Sequence, residues 1–548
     1  MLLLRTAIAA SAAASALAAP TTNRCAELWE LAPKNLADLQ VYVAQEYPAI
    51  EGYSSPVPNL PAFCRFGAFI HTSNMSAVRF EIWLPTDTWN GRFAMVGNGG
   101  DAGGINYPDM WGPIKNCKLL PSALGARPDR FPFAYGFAVA STDTGHHGEN
   151  YNGTFAINNP ESQVDFGYRA VHLTAVYSKK IIELFYPAPQ TTSYWFGCSS
   201  GGKQAVKEAQ QFPEDFDGVL AGAQAADWSK LMAYLYHVNI HLNNVNATGY
   251  LNTTDYALIN AEVHRQCDEL DGLKDSIITD PSICKPDLSS LICSDGKKDG
   301  CLIPEQADMM NSIWANWTSV DDGSWLFPGY EPGSEGSEDF SVTGSPYAIA
   351  ADYYNYQVLN NTKVVPYHAD ESELQRQLAI AEDTNPGGIT AVSGYIEPFL
   401  KRGKLLSFVG LADRIIPARS SIWYYEHVRE SLGYPEDLGD SYRLFTVPNM
   451  NHCRGGHAAW NFGGPGQRDS SQNGTATSAV FDRDHDMILA LMDWVELGVA
   501  PDAFIGTKYI EDDRRLGIEF QRKLCPYPQK GAYIGGDPNS ADSFECKY

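Results

Sequence analysis

The stretch from Ser193 to Gln211 reads SYWFGCSSGGKQAVKEAQQ. Ser193 to Phe196 has the aromatic character of a short strand and Lys203 to Gln211 that of a helix. Between them Gly197, Cys198, Ser199, Ser200 and Gly201 spell G-x-S-x-G. A strand that turns into a helix through this motif holds its serine on a sharp turn, with glycines where the backbone leaves no room for β-carbons. Ser199 is the candidate nucleophile. The plainer reading is a tight strand-to-helix turn with a capping serine.

Working outward, Ala170, Leu173, Val176, Tyr177, Ile181 and Leu184 set a helical spacing over Gly167 to Tyr186, and Val219 to Ala221 reads as a strand. Helix, strand, glycine turn, helix and strand is a βαβ alternation, which predicts a mostly parallel sheet with helices on both faces. Further upstream, the predicted strand Val78 to Leu84 is broken at Pro85. Arg92 to Val96 then runs into Gly97, Asn98, Gly99 and Gly100, and Gly136 to Ala140 runs into Ser141 to Gly145. The rhythm fails between residues 226 and 395. It resumes at Lys404 to Val409 and Tyr442 to Val447, and closes with an amphipathic helix, Asp484 to Leu497. The expected organisation is a sheet domain made of residues 20–225 and 396–548, with residues 226–395 inserted as a lid.

A serine hydroxyl is a weak nucleophile at neutral pH, so an imidazole must take its proton and a carboxylate must hold that imidazole in the right tautomer. Asp413 follows the strand Lys404 to Val409, and His452 follows the strand Tyr442 to Val447. The order Ser, Asp, His is that of the α/β-hydrolase fold, so the expected class is α/β: an α/β-hydrolase fold with a large inserted lid domain. Asp413 also reads as a helix N-cap, and His457, His146 and His147 compete with His452. Cys198 precedes Ser199 and Cys453 follows His452. If those two are bonded, serine and histidine are each one residue from a link whose α-carbons lie roughly 5.5 Å apart; each cysteine pairing elsewhere is the alternative. The backbone N–H of Ser200 and one from the loop Gly97 to Gly100 are the candidate oxyanion donors, although such turns often bind nothing. A catalytically silent binding protein on the same fold would be expected to lack a triad member, and none is missing.

Within the inserted stretch, Asp268, Asp271 and Asp275 bracket Gly272, with Leu273 and Ile277 between and after them. Oxygen-only ligation of this kind suits Ca²⁺ rather than zinc. It departs from the EF-hand loop in having no glutamate at the twelfth position, and an acidic surface turn is the alternative.

Arg5 followed by an apolar, alanine-rich run to Ala19 reads as a signal peptide, residues 1–19, so the mature chain is expected to be secreted and extracellular. Seven sequons, at Asn74, Asn152, Asn246, Asn252, Asn316, Asn360 and Asn473, predict glycosylation, and eleven cysteines fit an oxidising compartment. The odd cysteine count leaves at least one without an intramolecular partner. A net charge of −25 argues against nucleic acid and anionic membranes as partners.

The sequence resembles the tannase and feruloyl esterase family over nearly the whole mature chain. The segments that carry the resemblance are Leu60 to Cys64 with Arg65, Trp89 to Phe93 with the glycine loop after it, Ser141 to His146, Gly197 to Gly202, Asp217 to Gly222, Cys267 to Ile277, Asn451 to Gly455 and Leu524 to Pro528. The resemblance implies a serine esterase acting through an acyl-enzyme, with oxyanion donors Gly100 and Ser200. It implies structural Ca²⁺ on Asp268, Asp271 and Asp275 with the carbonyls of Leu273 and Ile277, and no organic cofactor. It implies the disulfides Cys198–Cys453, Cys25–Cys64, Cys267–Cys284, Cys293–Cys301 and Cys525–Cys546, leaving Cys117 as the odd thiol. The implied substrates are phenolic esters from plant cell walls or tannins. The segments Gly201 to Gln211 and Phe216 to Ala226 look more like fungal feruloyl esterases than galloyl-specific tannases. Trp228, Tyr234, Tyr236, Trp314 and Tyr353 are lid aromatics able to stack on a phenolic ring or to build the core.

Overall fold

The structure, a computed structural model, describes residues 24–49, 60–114, 135–242, 244, 247–294, 300–336, 347–361, 370–433, 438–467 and 478–548. The expected signal segment, Cys117, Asn246 and Asn473 lie outside the described residues. The strands are β1 (Leu39–Tyr47), β2 (Phe63–His71), β3 (Ala77–Pro85), β4 (Arg92–Val96), β5 (Ala138–Thr142), β6 (Thr192–Cys198) and β7 (Gly218–Gly222). A short pair follows, β8 (Trp317–Thr318) and β9 (Trp325–Phe327), and then β10 (Lys404–Gly410), β11 (Tyr442–Val447), β12 (Phe504–Tyr509), β13 (Ile518–Leu524), β14 (Lys530–Tyr533) and β15 (Phe544–Lys547). The helices up to the lid are α1 (Arg24–Asn35), α2 (Tyr107–Ile114), α3 (Pro160–Val164), α4 (Ala170–Phe185) and α5 (Ser200–Gln211). The remainder are α6 (Trp228–Leu242), α7 (Thr253–Cys267), α8 (Pro304–Trp314), α9 (Ala348–Asp352), α10 (Glu371–Thr384), α11 (Glu397–Leu400), α12 (Ala418–Ser431) and α13 (Met487–Leu497).

One nine-stranded sheet runs in the order β1-β2-β3-β5-β4-β6-β7-β10-β11. The edge from β1 through β3 to β5 is antiparallel, and every pair from β5 to β11 is parallel. The parallel strands β5 and β7 are buried along their whole length, as expected where helices cover both faces. This is the α/β-hydrolase fold with lid-like insertions. The register brings Cys198 beside Gly222 and Gly410 beside Val447, so the loops after β6, β10 and β11 leave the sheet at its carboxyl edge, where sites of open parallel sheets are built.

The inserted stretch buries its own apolar cluster, which includes Trp228, Tyr234, Tyr236, Trp314 and Tyr353, together with Phe166 and Ile416 from the sheet domain. Element ends differ in detail from the sequence reading. The strand expected at Gly136 to Ala140 is Ala138–Thr142, because Gly136 has φ +63°, outside the range of an extended strand. Helix α5 starts at Ser200 rather than Lys203, a π-helical turn (Asp165–Arg169) precedes α4, and Asp486 caps α13 from outside. All five expected disulfides are present.

Candidate active site

Ser199 sits between β6 and α5 at φ 66° and ψ −124°, a backbone conformation that costs a non-glycine residue about 1–3 kcal/mol. The turn is held from both sides: the Ser199 N–H donates to the Gly222 carbonyl at 3.0 Å, and its carbonyl accepts from the Lys203 N–H at 3.0 Å. A β-carbon on Gly197 would stand 2.5 Å from the Gly201 carbonyl oxygen, so the motif's first glycine is required by the closeness of strand and helix.

Asp413 follows β10 and is almost fully buried. Its Oδ2 meets His452 Nδ1 at 2.7 Å, while its Oδ1 accepts the N–H groups of Ile415 and Ile416, each at 2.9 Å. The two backbone donors fix the carboxylate's orientation, and the carboxylate in turn holds the His452 ring through Nδ1, which leaves Nε2 as the nitrogen of the proton-accepting tautomer. Asp413 does not cap α12, which Pro417 precedes. The Cys198–Cys453 disulfide spans 6.2 Å between α-carbons. Ser199 and His452, 253 positions apart in the chain, are thereby each one residue from a covalent link, and both line one cavity of about 1190 Å³.

Two of the competing histidines, His146 and His457, have contacts of their own. Burial holds the His146 imidazole down to about 4; its Nε2 donates to the Asp101 carbonyl at 2.8 Å and its ring stacks on Phe155 at 3.9 Å. His457 lies at the cavity rim, with Nε2 3.2 Å from the Asp275 carbonyl.

Gly100 and Ser200 both line the cavity. Ser200 is the first residue of α5, a position whose N–H has no intrahelical partner. Gly100 has φ +57°, and a β-carbon there would come within 2.4 Å of the Asn150 carbonyl oxygen. Two contacts lock the glycine loop to α5. Ser200 Oγ donates to the Gly100 carbonyl at 2.9 Å, and Asn98 and Gln204 exchange hydrogen bonds, Asn98 N–H to Gln204 Oε1 at 3.0 Å and Gln204 Nε2 to Asn98 Oδ1 at 3.3 Å. Sequence reading missed Asn98 and Gln204, since nothing local connects residues 106 positions apart.

The cavity has two characters. Trp228, Leu231, Met232, Leu235 and Ile349 from the inserted stretch make an apolar wall. Arg454, His457, Lys508 and Asp512 make a polar rim on the sheet-domain side. Of the five lid aromatics singled out in the sequence, Trp228 lines the cavity; Tyr234, Tyr236, Trp314 and Tyr353 are in the lid core.

The lid loop with Asp268, Asp271 and Asp275 offers hard oxygen donors. Burial, and then the charges of Asp275 and Asp268, push the Asp271 carboxyl up, while hydrogen bonds from Thr279 and the Leu273 N–H oppose this. The ligand atoms of these three carboxylates do not all lie within 4.8 Å of one another, and most of their oxygens accept from backbone N–H groups, Thr279 or Arg522. One oxygen of Asp275 pairs with Arg522 at 2.6 Å. The loop also buttresses the histidine loop, as Asn449 donates to the Ser276 carbonyl at 2.7 Å and accepts from the Ile278 N–H at 3.2 Å. Among the described residues, the three side chains whose ligand atoms come within 4.8 Å of one another are His172, Glu208 and Asp215. These form a candidate cation cluster in the sheet domain, roughly two and a half turns along α5 from Ser199.

The sequons at Asn74, Asn152, Asn252, Asn316 and Asn360 are exposed. No helix among the described residues is long and apolar enough to cross a membrane.

A model of the tannase and feruloyl esterase family matches residues 64–547. A protein named "Probable feruloyl esterase B-1" from Aspergillus oryzae is 34% identical over 519 residues, covering 93% of this chain and 88% of its own. The crystal structure of feruloyl esterase B from Aspergillus oryzae aligns with a TM-score of 0.84 at 34% identity, covering 96% of this chain and 100% of that one. Tannin acyl hydrolase from Aspergillus niger shares the fold, with a TM-score of 0.65 at 21% identity over 93% of this chain and 90% of that one.

Proposed function

The chain belongs to the tannase and feruloyl esterase family and is a carboxylic ester hydrolase; on that premise we propose that it hydrolyses feruloyl and related hydroxycinnamoyl esters through an acyl-enzyme on Ser199. His452 takes the Ser199 proton as Oγ attacks the ester carbonyl, Asp413 steadies the imidazolium that forms, and the N–H groups of Gly100 and Ser200 receive the oxyanion. His452 then protonates the leaving alcohol. In the second half-reaction it activates water, and the phenolic acid leaves. The observation that carries this reading is the 2.7 Å Asp413–His452 contact, with His452 and Ser199 both one residue from the disulfide.

The apolar wall favours the hydroxycinnamoyl over the galloyl reading. A galloyl ring brings three hydroxyls, and burying them against Leu231, Met232, Leu235 and Ile349 without partners costs binding energy, whereas a feruloyl group brings a longer, less hydroxylated acyl chain. Arg454, His457, Lys508 and Asp512 offer hydrogen-bonding groups to a sugar alcohol, which suits plant cell-wall polysaccharide esters. Comparing kcat/KM on methyl ferulate, methyl caffeate and methyl gallate tests this. Methyl ferulate is expected to exceed methyl gallate by about tenfold or more, and the reverse order would move the assignment to the tannase side.

For the lid loop, Asp268, Asp271 and Asp275, with the carbonyls of Leu273 and Ile277, would hold structural Ca²⁺. The ion would supply charge compensation and rigidity there. Because the loop touches the histidine loop through Asn449 rather than the reacting atoms, verified removal of metal by chelator is expected to lower the melting temperature by roughly 2–5 °C. Turnover at low temperature should change little. An unchanged melt would count against a structural ion. Secretion of the mature chain after the segment ending near Ala19, with glycans on the exposed sequons, completes the proposal.

A further inference from the structure

Outside the catalytic cavity, three ligating side chains converge at the far end of α5. His172 comes from the first turn of α4, Glu208 from the last turn of α5, and Asp215 from the connection between α5 and β7. One ligand atom of each lies within 4.8 Å of the other two, and His172 Nδ1 is 2.7 Å from Asp215 Oδ2. The His172 ring is set by stacking on Phe212, with centroids 3.7 Å apart and planes 12° apart. The Asp215 backbone is set by its N–H, which donates to the Phe212 carbonyl at 2.9 Å. Glu208 is 1% exposed, and neither of its carboxylate oxygens has a hydrogen-bond partner. Two lysines act on its charge, yet Lys207 donates to the Thr390 carbonyl at 2.8 Å and Lys179 to the Asp215 carbonyl at 2.5 Å. Burial, and after it Asp215, lift the Glu208 carboxyl well above the usual carboxylate range.

A buried carboxyl group with both oxygens unpartnered is costly, and folded proteins satisfy such groups with water, a proton or an ion. The composition around Glu208 selects among ions. An imidazole nitrogen beside two carboxylates suits zinc and its neighbours among the divalent transition metals, whereas Ca²⁺ and Mg²⁺ take oxygen ligands. Ligands around tetrahedral zinc stand roughly 3.3–3.5 Å apart. His172 Nδ1 and Asp215 Oδ2 would therefore part by about half an ångström, and Glu208 would swing in by at most about 1.5 Å. The two lysines work against a cation here, but both are turned to backbone carbonyls and the two carboxylates offset the charge of the ion. We propose that His172, Glu208 and Asp215 bind one zinc ion, with water completing its coordination, as a tie between α4, α5 and the connection to β7. The His172 side chain is 28% exposed and gives the ion its way in. On binding, zinc replaces the Glu208 proton, which is released to solvent. Nine residues separate Glu208 from Ser199, about 14 Å along a helix, so the ion braces α5 without touching the reacting atoms. The inference depends neither on the ester hydrolysed nor on Ca²⁺ in the lid.

To test this, chelator-stripped full-length protein is loaded with a small excess of ZnCl₂, passed through gel filtration, and its zinc counted by elemental analysis. The parent and Asp271→Asn, a lid-loop variant, are each expected to keep about one zinc per chain, and a large excess of Ca²⁺ should leave it in place. Glu208→Gln and His172→Gln are expected to lose it. Added zinc should raise the melting temperature of the parent and of Asp271→Asn, and leave that of Glu208→Gln where it was. The site is overturned if the parent keeps no zinc, which leaves a proton shared between Glu208 and Asp215 as the occupant of the gap. It is equally overturned if Glu208→Gln and His172→Gln keep as much zinc as the parent, or if Asp271→Asn alone loses it, since the ion then sits on other side chains. Glutamine is near-isosteric with the protonated Glu208. Should Glu208→Gln nonetheless fail to fold, His172→Gln, at a partly exposed position, decides by the same zinc count.

Discussion

Ser199→Ala is expected to lower kcat on p-nitrophenyl acetate and methyl ferulate by about 10⁵–10⁶-fold with the melting temperature nearly unchanged. The size follows from the chemistry, because without Oγ no acyl-enzyme forms. What remains is whatever the Gly100 and Ser200 N–H groups and the cavity do for direct attack by water. Stability should hold because Ser199 is fixed through its backbone, by the N–H to Gly222 and the carbonyl from Lys203, and alanine keeps both contacts. Alanine inherits the φ of 66°, so the strain of the turn stays as it is. A folded variant within a hundredfold of the parent would place the nucleophile elsewhere.

Asp413→Asn is expected to cost about 10⁴ in kcat, with KM little changed. The two oxygens of Asp413 have different partners, and this decides how the amide must sit. The Oδ1 position accepts from the N–H groups of Ile415 and Ile416, so only an oxygen is tolerated there. The amide NH₂ therefore faces His452 Nδ1, across the present 2.7 Å contact. An imidazole whose Nδ1 must accept carries its proton on Nε2 and cannot take one from Ser199. The rate should recover at high pH only as far as hydroxide replaces general-base catalysis. If Asp413→Asn instead raised KM and left kcat intact, Asp413 would be a structural residue of the β10 turn, the N-cap-like alternative that its sequence context also allowed.

Much of this site was legible before any coordinates, and the legible parts share a cause. The turn at Gly197 to Gly201 announces itself because strand, glycines and helix are contiguous, and the steric demand on Gly197 comes from a residue four positions away. The strands ending before Asp413 and His452 carry local apolar patterns, and the Ser, Asp, His order needs only chain direction. Boundaries slipped where the signal is conformational rather than compositional, as at Gly136 with its left-handed φ and at the π-helical turn before α4.

The lid aromatics show where local reading stops. Trp228, Tyr234, Tyr236, Trp314 and Tyr353 have the same residue character in sequence, yet Trp228 lines the cavity and the others fill the lid core. Which way a ring faces is set by the packing of the lid's helices against their neighbours, not by the residues beside it. The same holds for Asn98 with Gln204 and Asn449 with Ser276, each joining segments more than a hundred positions apart. By itself, then, the sequence determined the fold class, the strand-to-helix turn at Ser199 and the chain order of Ser199, Asp413 and His452, because these rest on backbone sterics and chain order; the disulfide pairs came through resemblance. Only the tertiary structure decided which oxygen of Asp413 holds His452, which wall of the cavity is apolar, and which side chains lock the glycine loop to α5. Desolvation and side-chain contact depend on neighbours that the fold, and not the chain, brings near.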